Sequence, residues 1–477
     1  MKKYNLLKIL GIFFLVSVIL TWFIPIGTYV DNVVQIDSIK PLGLFDIFYV
    51  PLYTILAYSE YAFVLLMIGA LYGVFNKIGV YDLLVEKTAN RFKNKKSFLV
   101  LSILTFSILS SFTGLAFPLF ILVPFTVSVI TKMGYSKLTA LASTVGAMLV
   151  GMIGTTFGLI QTVYNGELYS INLFERMGSG IYDKLVMRII TYVVITFLYI
   201  MTILSKSSKD IKEVKIKKEE ISEKKKVKEE KSVLPMFISI ILLTVISLFT
   251  MYHWDYIFGG TLFTNFDSTL VETTIGENVT LYNILGNTLS QIGTFGNLHL
   301  IALIFVIILF VSFVYGISVD DTIEGMKDGM KFTLKVALYV TLANIVMMVI
   351  NNVSTGSIIV TITNYIAGIF DGFNVVVTSL FSLVGGLFYN NFYDFVLDSA
   401  VVTHLIAVTP LQFSVFALSM QTAFNIMMMI LPTSMVLVAG LSYLDIKYKE
   451  WLKYIWKFII QVFIITLIIT QMTYMLY

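Results

Sequence analysis

Apolar residues along this chain stand in solid blocks of about 16–25, not in alternation with polar ones. A block of that length crosses a hydrocarbon core about 30 Å thick as one helix. Transmembrane β-strands, by contrast, alternate over segments of about ten residues. The pattern predicts nine spans, at 9–28, 60–80, 138–160, 186–204, 233–252, 298–318, 335–352, 412–438 and 455–475. Two further apolar regions, 98–131 and 375–410, are too long for one crossing and too short for two. Each is interrupted near its middle, by Ser110-Ser111-Phe112-Thr113-Gly114 in the first and by Asn390-Asn391 through Asp398-Ser399 in the second. Two short apolar arms around a polar tip describe a re-entrant hairpin, which enters and leaves on one side. The expected fold is therefore an all-α polytopic membrane protein with about nine transmembrane helices and two hairpins.

Composition supports this reading. Hydrophobic residues make up 57% of 477 positions and charged residues 13%, about half the share of a soluble domain. Mean hydropathy is +0.88. There is no cysteine, hence no disulfide framework, thiolate metal site or Cys nucleophile. After Met1-Lys2-Lys3 the apolar run from Ile9 to Pro25 is followed by no small-x-small cleavage site, so it reads as a retained first span. With the N-terminus cytoplasmic, all but five of the 33 Lys and Arg fall on the cytoplasmic side. Lys40, Arg176, Lys184 and Arg188 lie outside and Lys77 sits at a span end. The C-terminus then faces outward and the expected location is the cell membrane. Trp22, Trp254, Trp451 and Trp456 fall near span ends, as an aromatic belt would.

The Lys-rich segment 205–232 reads as a charged cytoplasmic linker. It separates a first half, 1–204, from 233–477, which carries one extra span and then the same order of elements. The two hairpins face opposite sides, so the halves form an inverted-topology repeat, an arrangement that serves alternating access with the binding site at discontinuous helices near the midplane. The spans after the hairpins fit that expectation. The first is interrupted at Gly151 to Gly158, including Gly154, Thr155 and Thr156; the second at Gln421, Thr422 and Asn425 and again at Pro432, Thr433 and Ser434. Broken backbone at membrane depth must be buried or must line a wet cavity. The candidate substrate and ion site thus comprises Ser111, Thr113 and Gly114, the Gly154–Thr156 break, Asn390, Asn391, Asp394, Asp398 and Ser399, and the polar residues of 421–434. Close helix packing through small residues is the competing explanation for any one of these breaks.

Several stretches resemble the YfcC-like members of the C4-dicarboxylate anaerobic carrier (DcuC) group. They are Thr21-Trp22-Phe23-Ile24-Pro25-Ile26-Gly27-Thr28-Tyr29, Ile68-Gly69-Ala70-Leu71-Tyr72-Gly73, Leu342-Ala343-Asn344-Ile345-Val346 before Asn351-Asn352, and Gln421 to Asn425 followed by Pro432-Thr433-Ser434. The resemblance implies a secondary carrier for small carboxylates or amino acids, with an elevator-like movement of the hairpin region, no cofactor beyond a coupling H+ or Na+, and a homodimer as one possible assembly. The chain departs from the family's pattern after Thr113-Gly114, where Leu115-Ala116-Phe117-Pro118 stands in place of acidic residues, and at Gly154-Thr155-Thr156, where an Asn-Pro is missing.

Asp394 and Asp398, spaced i and i+4, would share a helix face. They could bind a cationic amino acid, carry a proton or sit at the interface. His404 lies in an apolar arm, where a packing histidine outweighs a proton relay. No His-Glu-x-x-His, nucleophile elbow or phosphate-binding loop occurs, which argues against an intramembrane enzyme or an ATP-driven pump. The sharpest functional expectation is an amino acid carrier exchanging basic amino acids; carboxylate uptake is the alternative. Its partners are a small molecule and lipid, not nucleic acid.

Overall fold

In the computed structural model the described residues are 5–30, 33–158, 185–210, 231–275, 279–286, 288–351, 357–369, 374–397 and 410–476. Among them, seven helices are long and apolar enough to cross a membrane. The architecture is helical, but it includes one two-stranded antiparallel sheet that the sequence pattern did not predict.

Helix α1 (Asn5–Leu20) buries Leu6, Leu10, Phe14 and Val18, one residue per turn on a single face. It ends before the expected span 9–28 does, because the chain leaves the helix after Leu20 through a turn at Thr21–Phe23, ahead of Pro25. Strands β1 (Gly27–Val30) and β2 (Val33–Ile36) then pair in register Gly27↔Ile36 to Val30↔Val33. The sheet is tied to the other half of the chain, since Gly27 and Ser357 exchange backbone hydrogen bonds of 2.9 Å in both directions. Helices α2 (Asp46–Ala57), α3 (Ser59–Ile78) and α4 (Tyr81–Arg91) lead to the first hairpin. Its arms are α5 (Lys95–Thr113) and α6 (Val123–Lys132). Asn94 caps α5 by accepting from the Lys96 amide at 3.1 Å. Gly114 ends it in the left-handed region at φ 69°.

The expected span 138–160 is three pieces: α7 (Lys137–Leu141), a π-helical turn at Ala142–Gly146, and α8 (Ala147–Ile153), which stops at Gly154. Gly151 is not part of the break. It lies in helix, where an added Cβ would sit 2.0 Å from Ser110 Oγ and 2.3 Å from the Ser107 carbonyl oxygen. Helix α9 (Leu185–Asp210) closes the first half.

The second half begins with α10 (Leu234–Met251). Three short helices follow, α11 (Trp254–Phe258), α12 (Leu262–Glu272) and α13 (Leu281–Leu285). Next come α14 (Asn297–Tyr315) and α15 (Val319–Leu342). The expected span 335–352 is thus the end of a longer helix; a turn at Ala343-Asn344 separates it from α16 (Ile345–Asn351). Helices α17 (Ile358–Ile369), α18 (Val375–Phe388) and α19 (Phe392–Leu397) lead into the second hairpin; its expected later arm, with Asp398, Ser399 and His404, falls outside the described residues. Helix α20 (Pro410–Met428) runs unbroken through Gln421 to Asn425, contrary to the expected interruption there. That stretch holds neither glycine nor proline, and Thr422 and Asn425 bond to carbonyls of their own helix. The chain leaves helix only around Leu431-Pro432-Thr433, before α21 (Met435–Leu444) and α22 (Tyr448–Leu476).

Each half repairs its broken helix in the same way. The π-helical turn leaves the Ala142 carbonyl to be satisfied by Tyr199 of α9, whose hydroxyl donates at 2.7 Å. The break after α20 leaves the Met429 and Ile430 carbonyls to α22, where Trp451 Nε1 donates at 2.7 Å and the Tyr448 hydroxyl bonds Ile430. The last helix of each half therefore supplies an aromatic donor to a carbonyl that lipid could not satisfy. This role also corrects the aromatic-belt expectation for Trp451, which is fully buried; Trp22 and Trp456 are exposed.

The halves meet most closely where α3 crosses α15. Gly69 and Gly73 on one helix face Gly325 and Gly329 on the other. Gly69 lies against Gly329 and Thr333, and Gly73 against Gly325 and Gly329, so the helices run antiparallel. Lys77 links the same pair through Asp321, at 3.3 Å, and Glu324.

Candidate functional site: a cavity at the hairpin tips

The first hairpin tip is bound to the first broken helix through Ser111. Its carbonyl accepts from the Thr156 amide at 3.0 Å, the Thr156 hydroxyl at 3.1 Å and the Thr155 hydroxyl at 3.3 Å. The Ser111 hydroxyl donates to the Gly154 carbonyl at 2.7 Å. Gly114 packs directly on Gly158, so that a Cβ on Gly114 would lie 2.5 Å from the Gly158 carbonyl oxygen. In the second half, Thr433 donates to the Gly386 carbonyl of α18 at 3.2 Å, and Ser434 caps α21 by accepting from the Leu437 amide at 3.3 Å.

These elements enclose a cavity of about 620 Å³. Gly114 to Pro118 supply one wall and Met152 and Thr155 another; Asn390 to Phe392, with Gln421, Phe424 and Asn425, face them from the second half. Of the residues expected in a site, Gly114, Thr155, Asn390, Asn391, Gln421 and Asn425 line this cavity. Ser111, Gly154 and Thr156 brace its wall. Thr113 and Thr422 bond to their own helices, to the Leu109 carbonyl at 2.6 Å and the Leu418 carbonyl at 2.8 Å, and Pro432, Thr433 and Ser434 form the break behind it. Asp394 is half-buried in α19, just beyond the lining residues.

Other groups at the cavity were not among the expected site residues. Glu60, Tyr61, His253 and Asn297 line it from the ends of three helices. Burial pushes the His253 imidazole down to about 4, which keeps it neutral near pH 7. The largest departure is Arg188. Its neighbours in sequence suggested an exterior charge, yet it is 2% exposed, and its Nη1 donates to Gln421 Oε1 at 3.1 Å. Its position at the N-terminal end of an apolar helix was the one available signal; the partner, 233 residues away, could not be read from sequence.

A second cavity, of about 530 Å³, runs along α3 from Leu65 to Lys77. Asn76, Lys77, Ser128, Asp328 and Tyr443 line it, whereas Glu60 and Tyr61 mark the first. The two approach each other along α3, where Leu65 lines the second cavity one turn, roughly 6 Å, from Tyr61 of the first. Along the wall of this second cavity the hairpin is held to α3 and α4 by Tyr72, which donates to the Ile121 carbonyl at 2.7 Å, and by Tyr81, 3.0 Å from Ser128 Oγ. No group of metal-ligating side chains occurs among the described residues.

A helical membrane bundle whose discontinuous helices and hairpin tips gather around a polar cavity is the build of a secondary transporter. The family comparison agrees. The chain belongs to the C4-dicarboxylate anaerobic carrier (DcuC) family, whose model matches residues 4–475. Among solved structures, that of the Alcanivorax borkumensis YdaH transporter is similar at 13% identity, over 97% of this chain and 98% of that one, with a TM-score of 0.40. No curated protein matches the sequence.

Proposed function

We propose that the chain is a secondary carrier of small carboxylates, C4-dicarboxylates first among them, with the hairpin-tip cavity as its substrate site. The observation that carries this reading is the meeting of both hairpins and both broken helices at one cavity. The family description supplies the substrate class. With the N-terminus cytoplasmic, this cavity opens outward and the one beside Lys77 and Asp328 opens inward, which gives alternating access two faces. Residues 1–204 and 233–477 act as the two inverted repeats, joined by 205–232, and a gradient of Na+ or H+ drives uptake.

Exchange of basic amino acids is the competing reading, favoured by Glu60 at the cavity and by half-buried Asp394. Uptake by purified protein in proteoliposomes separates the two. Labelled succinate should accumulate and be competed by unlabelled dicarboxylates, and imposing a sodium or a proton gradient identifies the coupling ion. Accumulation of arginine or ornithine with indifference to every dicarboxylate would replace the first reading by the second.

A further inference from the structure

Arg188 is fully buried, and its Nε has no hydrogen-bond partner. No carboxylate pairs with it among the described residues; its hydrogen bond there is to the Gln421 carboxamide. A buried guanidinium with an incomplete set of acceptors is costly, and the missing element is an anion. Arg is a donor only, so it holds Gln421 with Oε1 turned toward itself. The Gln421 Nε2, with two N–H donors, is left on the opposite edge of a side chain that lines the cavity. Asn390, on the same side of the cavity as Gln421, likewise has a buried Nδ2 with no partner. The site thus offers unmatched donors backed by a positive charge.

We propose that Arg188 is the charge-selecting residue of this site: it fixes Gln421 as a donor toward the cavity and completes its own pairing electrostatically when a substrate carboxylate binds there. The proposal rests on the carboxylate reading above and names how that site recognises its ligand. Arg188 acts through Gln421, as a positioning residue.

The test uses the full chain in proteoliposomes, with labelled succinate as probe and succinamate, its half-amide, as competitor. Arg188→Gln should raise KM for succinate about tenfold or more with a smaller change in maximal rate, as loss of a charge-assisted contact does. It should also erase the preference for succinate over succinamate, which a merely structural role would leave intact. Arg188→Lys should restore part of both. Gln421→Glu should pair with Arg188, raise the melting temperature and weaken succinate binding. Wild-type KM and preference in folded Arg188→Gln would overturn the proposal. So would restoration of Arg188→Gln by Asp398→Asn, since Arg188 would then be pairing an acid of the chain. If Arg188→Gln fails to fold, Gln421→Glu decides, and an unchanged succinate KM there refutes the assignment. Failure of the carboxylate reading shows in the wild type, as indifference to dicarboxylates; failure of the Arg188 assignment shows only in the variants.

Discussion

Replacing Gly329 by alanine adds one methyl group to α15 at its contact with α3. That carbon would sit 2.0 Å from the Gly69 carbonyl oxygen and 2.6 Å from the carbonyl carbon. Non-bonded heavy atoms rest roughly 3.5 Å apart, so the helices must separate by about 1.5 Å. Both neighbours are backbone, so no rotamer change relieves the clash. Separation also loosens the contacts of Gly73, whose Cβ position lies 2.1 Å from the Gly325 carbonyl oxygen. Overpacking of this kind costs about 1–3 kcal/mol, with the loss of neighbouring contacts added. The opposing term, the better helix propensity of alanine, is worth about 1 kcal/mol. The clash wins, and Gly329→Ala should lower the melting temperature of the detergent-solubilised protein by several degrees. Gly11→Ala is the control: nothing lies within 4 Å of its Cβ position, so the melting temperature should hold or rise. Equal melting temperatures for Gly329→Ala and the wild type would refute the backbone-contact account of this crossing.

Gly114→Ala combines a left-handed backbone, φ 69°, with a contact 2.5 Å from the Gly158 carbonyl; substrate uptake and thermal stability should both fall. Tyr72→Phe leaves the Ile121 carbonyl without its donor and should cost about 1–3 kcal/mol in a thermal melt. His253 is held neutral in the fold by burial, so the unfolded chain binds the proton more readily. Its contribution to stability is complete above about pH 6.5 and declines as pH falls toward 4, by about 2.5 kcal/mol at pH 4.5; His253→Gln should flatten that part of the stability-versus-pH curve.

The legible parts of the fold were those governed by length and by glycine. The arms of the first hairpin follow from an apolar run with Gly114 at its tip, and the break before α21 follows from Pro432. Polarity alone misled at Gln421 to Asn425, because amide and hydroxyl side chains can bond within their own helix and leave it intact. The Gly69 and Gly73 pair reads as a packing motif, but its partner near Gly325 lies more than 250 residues away. The lining of the hairpin-tip cavity was half legible: the polar positions could be named, while Arg188 could not be separated from a loop charge before its burial was known. The β1–β2 pair lay beyond a hydropathy pattern, since four-residue strands leave no period to detect.

The α3–α15 crossing also bears on how such a chain could arise. Each helix presents glycines at the same four-residue spacing, and the two run antiparallel, so the contact has the self-complementary form of a two-fold symmetric dimer interface. A half-length ancestor inserted in both orientations could have paired with its own copy along this face, and gene fusion would then have needed only a connecting segment. The two halves, cut within 211–230 and co-expressed as separate polypeptides, should therefore find each other and reassemble along this ridge.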